Sequence, residues 1–261
     1  MSAHIESSAN QRIIATARLK QRKRRDDEGA FLIEGTREVE RATNAGTPLA
    51  EVFLCSEYAT HETDSLATEL GVSGVVVTTT STRAFDRLSN RRNPDGIIAV
   101  ARTWTPNLSD LDRDLVLIAE SIEKPGNLGA ILRTVDAAGA ALLIADPNVD
   151  PFNPNVVRAS QGALFSAEFA SASAGDARAW AHNRGSVFVA VPEATISLWD
   201  ADLTGVTAIV IGSEHAGVSA AWDGAGTPVG IPMAGAADSL NASVSAAIVL
   251  FEAVRQRRAS S

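Results

Sequence analysis

The sequence predicts an α/β protein in two domains, the second built on a mostly parallel sheet. Three observations carry this. LVLIAE (115–120), ALLIAD (141–146), VFVAV (187–191) and TAIVIG (207–212) are short, nearly continuous aliphatic runs, the pattern of strands buried on both faces. Helical stretches alternate with them, as in βα units. At 261 residues the chain is longer than one typical domain, and a polar, proline-containing stretch divides it.

Taken in order, residues 10–25 predict one helix with Ile13, Ile14, Ala17 and Leu19 among basic residues, and FLIEG (31–35) a strand ending on glycine. Glu38–Ala45 predicts a helix closed by Gly46, EVFLC (51–55) a strand, Ser65–Leu70 a helix and GVVVTT (74–79) a strand. Thr82–Leu88 predicts a short helix and GIIAVAR (96–102) a strand. TWTPNLSDLDRD (103–114) is polar, so a first domain over 1–103, a linker over 104–113 and a second domain over 114–261 are expected. In the second domain, helices are predicted over Gly129–Ala138, Pro154–Ser160, Asp176–Asn183 and Leu240–Arg258, and a short strand at GIPM (230–233).

Composition narrows the function classes. Apolar residues make up 45% and charged residues 21%, which excludes collagen-like, coiled-coil and wholly disordered chains. No apolar run approaches the ~18–20 residues that span a bilayer, and the first twenty residues lack a signal-peptide pattern. One cysteine, Cys55, forms no internal disulfide, and four scattered His give no zinc cluster. A cytoplasmic protein without a metal or a membrane partner is therefore expected.

The net charge is −8, but it is unevenly spread. Residues 1–100 hold 13 basic and 14 acidic side chains, so seven of the eight excess negative charges fall beyond residue 100. Arg12, Arg18, Lys20, Arg22, Lys23, Arg24 and Arg25 form an acid-free run, and Arg83, Arg87, Arg91 and Arg92 a second cluster. Guanidinium groups suit phosphate, so both sets are candidates for a nucleic-acid backbone, against the alternative of a solvated face.

Glycine-rich turns follow the second-domain strands: GNLG (126–129), GSEHAG (212–217) and GAADSLNAS (235–243). Ligands of open α/β sheets bind beyond the carboxyl ends of strands, where such turns gather. G-x-G-x-x-G, the Walker loop and the G-x-S-x-G elbow are all absent from the sequence. The three rims near residues 127, 214 and 240 are expected to converge on one cavity.

Three segments then carry a resemblance. EKPGNLGAILRTVDAAGA (123–140), IGSEHAGVS (211–219) and IPMAGAADSLNASVSAAIVLFEAVRQR (231–257) resemble, in order and spacing, the signature motifs of the SpoU family, the TrmH-like RNA 2′-O-ribose methyltransferases of the SPOUT superfamily. FLIEGTREVERA (31–42) and NPDGIIAVA (93–101) resemble pieces of that family's ribosomal-protein-like amino-terminal substrate-binding domain. The resemblance implies methyl transfer from S-adenosyl-L-methionine to a ribose 2′-OH, a deep trefoil knot in the second domain, and a homodimer whose active site is completed across the subunit interface.

Carried over by position, the resemblance implies catalytic roles for Asn127, Arg133, Glu214, Ser239 and Asn241. It implies cofactor contacts for Val191, Gly212, Ile231, Met233 and Leu240. Arg133 is expected to stabilise charge on the ribose oxygen, since its pKa above ~12 makes it a poor base; the competing reading is an ion pair with Asp136. For Ser239 the competing reading is a helix N-cap. Arg158 and the run Arg22, Lys23, Arg24 and Arg25 are the candidate RNA contacts. In the third motif, Ala242 stands where the family commonly has valine. Ribosomal RNA is the leading substrate, with transfer RNA, or a non-catalytic RNA-binding or ribosome-assembly factor, as alternatives.

Overall fold

A computed structural model describes residues 4–259. Two compact units emerge, one of residues 1–104 with 150–165 and one of residues 105–149 with 166–261. Residues 150–165, which the sequence reading assigns to the second domain, belong to the first unit.

The first unit contains β1 (His4–Ile5), α1 (Gln11–Arg18), α2 (Arg22–Glu28), β2 (Ala30–Glu34), α3 (Thr36–Asn44), β3 (Leu49–Leu54), α4 (His61–Val72), β4 (Val77–Thr80), α5 (Thr82–Leu88) and β5 (Ile97–Arg102). Its sheet runs β1-β4-β3-β5-β2, with β5 antiparallel to both β3 and β2. Period-2 alternation sends Leu32, Phe53 and Ile98 to one face, where Ile13, Phe85 and Leu88 from the helices cover them. Phe31 points the other way, onto Trp104, Phe152 and Phe165. Two of these rings come from the returning 150–165 segment, which also supplies α7 (Pro154–Ser160).

One predicted helix is two. The helix expected over 10–25 breaks at Leu19, and α2 starts after Gln21. The cause is Arg25, which donates from Nη1 to the Leu19 and Lys20 carbonyls at 2.9 and 3.0 Å. Those carbonyls lie at the end of α1 and would otherwise lack partners. Apolar spacing cannot register a break made by a side chain folding back.

The second unit holds β6 (Leu115–Glu120), α6 (Pro125–Ala138), β7 (Ala141–Ala145), β8 (Glu168–Ala172), α8 (Ala174–His182), β9 (Ser186–Ala190), β10 (Ile196–Ser197), β11 (Thr207–Ile211), β12 (Thr227–Gly230) and α9 (Ala242–Ala259). The seven strands run β10-β12-β9-β11-β6-β7-β8, every pairing parallel. Val116, Ile118, Leu143, Val189 and Val210 face a core shared with Ala177 and Ala181 of α8. The opposite face is covered by α6 and α9, which pack side by side.

Four expectations change in detail. The GIPM strand is displaced: β12 ends at Gly230, so Ile231 and Met233 lie beyond the ladder. α6 begins a turn earlier than expected, at Pro125; proline is well placed in a first turn because its missing N–H is not needed there. The last helix opens at Ala242 rather than Leu240. The stretch read as a linker is docked: Leu111 is buried in the second unit's core, and Arg184 donates to its carbonyl at 2.6 Å.

Candidate functional site

β12, β9 and β11 are adjacent, so their carboxyl ends open at one place. There a cavity of about 270 Å³ is lined by Val191 and Pro192 after β9, by Ile211 at the end of β11 and residues 212–217 after it, by Ile231 and Met233 after β12, and by Asp238–Leu240 before α9. The volume is near the lower end for small-molecule sites. All five residues singled out for cofactor contact line it, as do Glu214 and Ser239.

Residues 212–217 form a closed turn. Ser213 N donates to Gly217 O at 3.1 Å and Gly217 N to Ser213 O at 3.0 Å. Gly212 is required by this turn itself: a Cβ there would lie 2.0 Å from the Gly217 carbonyl carbon and oxygen. Beyond the turn, Ser219 donates to the Glu120 carboxylate from N at 2.8 Å and from Oγ at 2.6 Å. Glu120 is 1% exposed at the end of β6. A carboxylate in that position demands partners, and these two bonds tie the loop to the central sheet.

The three rims meet in one hydrogen-bonded knot of side chains. Asn127 Nδ2 donates to Glu214 Oε1. Asn241 Nδ2 donates to Glu214 Oε1 at 2.7 Å and to Asn127 Oδ1 at 3.2 Å. Asn241 also caps α9. Its carbonyl accepts from Ser245 N, and its Oδ1 accepts from Ser243 N at 2.9 Å and Ser243 Oγ at 2.6 Å. With both amide atoms committed, Asn241 has one orientation. The cap is therefore Asn241 and not Ser239, which stands exposed on the rim.

Lys124, which sequence reasoning passed over, completes the cluster. Its Nζ lies 2.7 Å from Glu214 Oε2. The hydrogen bond from Lys124 holds the Glu214 carboxyl below the usual carboxylate range; burial opposes this, and the Asn127 amide and the Lys124 charge reinforce it. The clue to Lys124 was its place in EKPGNLG, directly before Pro125. Asp238, also overlooked, lines the cavity and makes no ion pair among the described residues.

Arg133 lies on α6 but does not line the cavity. It is exposed, and among the described residues it has no ion pair, so the pairing with Asp136 does not form. Arg158 is exposed on α7, with Nη2 3.2 Å from Asn155 Oδ1.

Arg25 requires a correction. It is 1% exposed, with Nε 2.7 Å and Nη2 2.6 Å from Asp150 Oδ2, so its guanidinium is committed inside the first unit and cannot reach an external phosphate. Arg22 and Arg24 pair only loosely, at 3.8 and 3.7 Å, with Asp26 and Asp27 on their own helix. Lys23 is exposed.

Burial pushes the Cys55 thiol up to about 11, which removes it as a nucleophile at neutral pH. Among the described residues, no group of three or more His, Cys, Asp or Glu could share a metal ion, and no helix is long and apolar enough to cross a membrane.

Comparison with known proteins agrees with this architecture. The sequence profile of the SpoU rRNA methylase family matches residues 114–251, and that of the MRM3-like substrate binding domain matches residues 10–99. The chain is 34% identical over 260 residues to the 23S rRNA (uridine(2479)-2′-O)-methyltransferase of Streptomyces viridochromogenes, covering 92% of this chain and 88% of the relative. A crystal structure of an RNA 2′-O ribose methyltransferase superposes with a TM-score of 0.83 at 42% identity, covering 98% of this chain and 99% of the other. The AdoMet-bound rRNA methyltransferase of Sinorhizobium meliloti superposes with a TM-score of 0.88 at 26% identity, covering 97% and 98%. With its second unit matched along most of its length and its first unit matched to a substrate-binding domain, the chain belongs to the SpoU rRNA methylase family.

Proposed function

We propose that this chain transfers a methyl group from S-adenosyl-L-methionine to a ribose 2′-OH of ribosomal RNA. The observation that carries the reading is the convergence of Asn127, Glu214 and Asn241 beside a cavity at the carboxyl ends of parallel strands. The cavity suits the donor. Val191, Ile231, Met233 and Leu240 offer apolar walls, while Asp238 leaves a carboxylate without an ion pair at the rim. That set fits a flat ring joined to a positive charge. When bound, S-adenosyl-L-methionine supplies a methyl group already activated on a sulfonium sulfur. Ribosomal RNA is favoured because relatives matching most of the chain are 23S rRNA enzymes.

The chain's own residues supply position and charge. Lys124 and two amides fix the Glu214 carboxylate, and Glu214 with Asn127 and Asn241 locks the starts of α6 and α9 to the turn after β11. A cavity rim held this way costs little reorganisation when reacting groups must be aligned. Arg133 brings an unpaired guanidinium that stabilises negative charge developing on the ribose oxygen. Ser239 stands exposed on the rim, where its hydroxyl is free to meet the sugar. Arg22, Lys23, Arg24 and Arg158 contribute to backbone contacts with RNA.

A homodimer belongs to the same reading. Val244, Ile248 and Phe251 share one face of α9, with Val244 45% and Phe251 47% exposed. Large apolar groups at that spacing on a solvent face suit an interface. A second copy there would also account for Arg133 standing outside its own chain's cavity. The trefoil knot is part of this reading too. What supports it is the position of β11 between β6 and β9, with α9 packed beside α6.

The test is transfer of labelled methyl from S-adenosyl-L-methionine into 23S rRNA, with the product mapped as a 2′-O-methylated nucleotide. Arg133→Ala should lose about 100-fold or more in transfer while still binding the cofactor. A wild-type chain that binds rRNA but methylates nothing would instead favour a non-catalytic RNA-binding or assembly factor.

A further inference from the structure

The second arginine cluster leads to a different site. The turn after β3, helix α5 and the segment joining it to β5 form the walls of a cleft of about 450 Å³, lined by Tyr58, Asp86, Ser89, Arg91, Arg92 and Asn93 among others. It lies wholly within the first unit.

This cleft is built rather than incidental. Its walls are pinned together at Gly96, whose φ is +80° and where a Cβ would fall 2.6 Å from Ala59 N and 2.7 Å from Cys55 O. Cys55 N donates to Gly96 O at 2.8 Å. Arg91 is locked from three sides: Glu38 Oε2 at 3.0 Å, Asp95 Oδ2 at 2.8 Å and the Glu34 carbonyl at 2.8 Å. Its Nε is nonetheless buried with no hydrogen-bond partner.

The Tyr58 ring is held at both ends. It packs edge-to-face with buried Phe85, with centroids 6.0 Å apart and planes at 68°, and its hydroxyl donates to Asp86 Oδ1 at 3.0 Å. That bond engages the Asp86 carboxylate with a neutral donor. Arg92, by contrast, is exposed and makes no ion pair among the described residues. Lys20 Nζ donates to the Ser89 carbonyl at 2.7 Å, which braces the segment leading to Arg92.

We infer that this cleft receives one unstacked nucleotide of the RNA substrate, its base against the Tyr58 ring and its phosphate at Arg92. The chemistry is that of single-stranded RNA recognition: a fixed aromatic face stacks a base, an adjacent guanidinium meets the phosphate, and an amide such as Asn93 reads an edge. Arg91, neutralised by its two carboxylates, is a positioning residue that holds the wall carrying Arg92 and Asn93. The inference rests on RNA being the substrate of this chain, and it adds a contact remote in sequence from the methyl-transfer motifs.

The test uses the full chain with large-subunit rRNA transcripts and measures RNA affinity against salt, methyl transfer, and S-adenosyl-L-methionine binding as a control for folding. Tyr58→Leu keeps the packing on Phe85 and should weaken RNA binding about 5- to 100-fold without changing the salt slope. Tyr58→Phe, which keeps the ring, should remain within about 2-fold of wild type on the same scale. Arg92→Gln should lower the salt slope by about one. Cofactor binding should be unchanged in all three. Wild-type affinity in both Tyr58→Leu and Arg92→Gln, in a chain that methylates RNA, overturns the cleft alone. A wild-type chain that binds no RNA overturns the cleft and the RNA reading together.

Discussion

Gly212→Ala tests the site through its backbone rather than its chemistry. The added methyl would lie 2.0 Å from the Gly217 carbonyl carbon and oxygen and 2.3 Å from Val218 N. Real Cβ contacts essentially never fall under 3.0 Å, so the turn must retreat by about 1 Å. If it stays closed, overpacking costs about 1–3 kcal/mol. If it opens, the two Ser213–Gly217 backbone bonds are lost, at about 0.5–1.5 kcal/mol each. Either route destabilises by roughly 1–3 kcal/mol, and in either case Glu214 is displaced from Asn127 and Asn241. Two other glycines provide the scale. Gly217→Ala meets no neighbour but must adopt φ +65°, at about 1–2 kcal/mol. Gly235→Ala has open space and no positive φ, so it should stay within about 0.5 kcal/mol. The assay is urea unfolding of the three variants, with S-adenosyl-L-methionine affinity by calorimetry. Gly212→Ala should also bind about 10-fold more weakly, equivalent to about 1.4 kcal/mol. If it matches Gly235→Ala in both measurements, the close-approach argument is wrong.

Other expectations follow from the same geometry. Arg25→Met should destabilise by about 3–5 kcal/mol, because it leaves the buried Asp150 carboxylate without its partner; the joint replacement of Arg22, Lys23 and Arg24 by Gln should leave the urea midpoint nearly unchanged and flatten the salt dependence of RNA binding. The Glu214 carboxyl is held low in the folded protein, so its ionised network is fully present above the ordinary carboxylate pKa of about 4.3 and is lost only as pH falls through the lowered value. Lys124→Met should move that loss to higher pH and Lys124→Arg should restore it, followed as a Glu214 carboxyl titration by NMR; equal midpoints would remove Lys124 from the account. Phe251→Asp should shift the particle to a monomer in light scattering and abolish methyl transfer, and a dimer that persists would move the interface off this face of α9.

Much of this protein was legible in its sequence because the signals were local. Aliphatic runs fix which segments become buried strands, since a strand covered on both faces has no polar side to show; β6 spans Leu115–Glu120 as read, and α7 spans Pro154–Ser160. The motif order also placed the residues that line the cavity. What tertiary structure alone decided depends on partners distant in the chain. Arg25 reads as one more cation in a basic run, yet Asp150, 125 positions away, turns it inward. Asn241 takes the cap from Ser239 because Asn127 and Glu214 fix its amide. Glu120 and Lys124 matter only because strand order brings Ser219 and Glu214 to them. Burial and charge pairing are set by which segments meet, and no spacing along the chain encodes that.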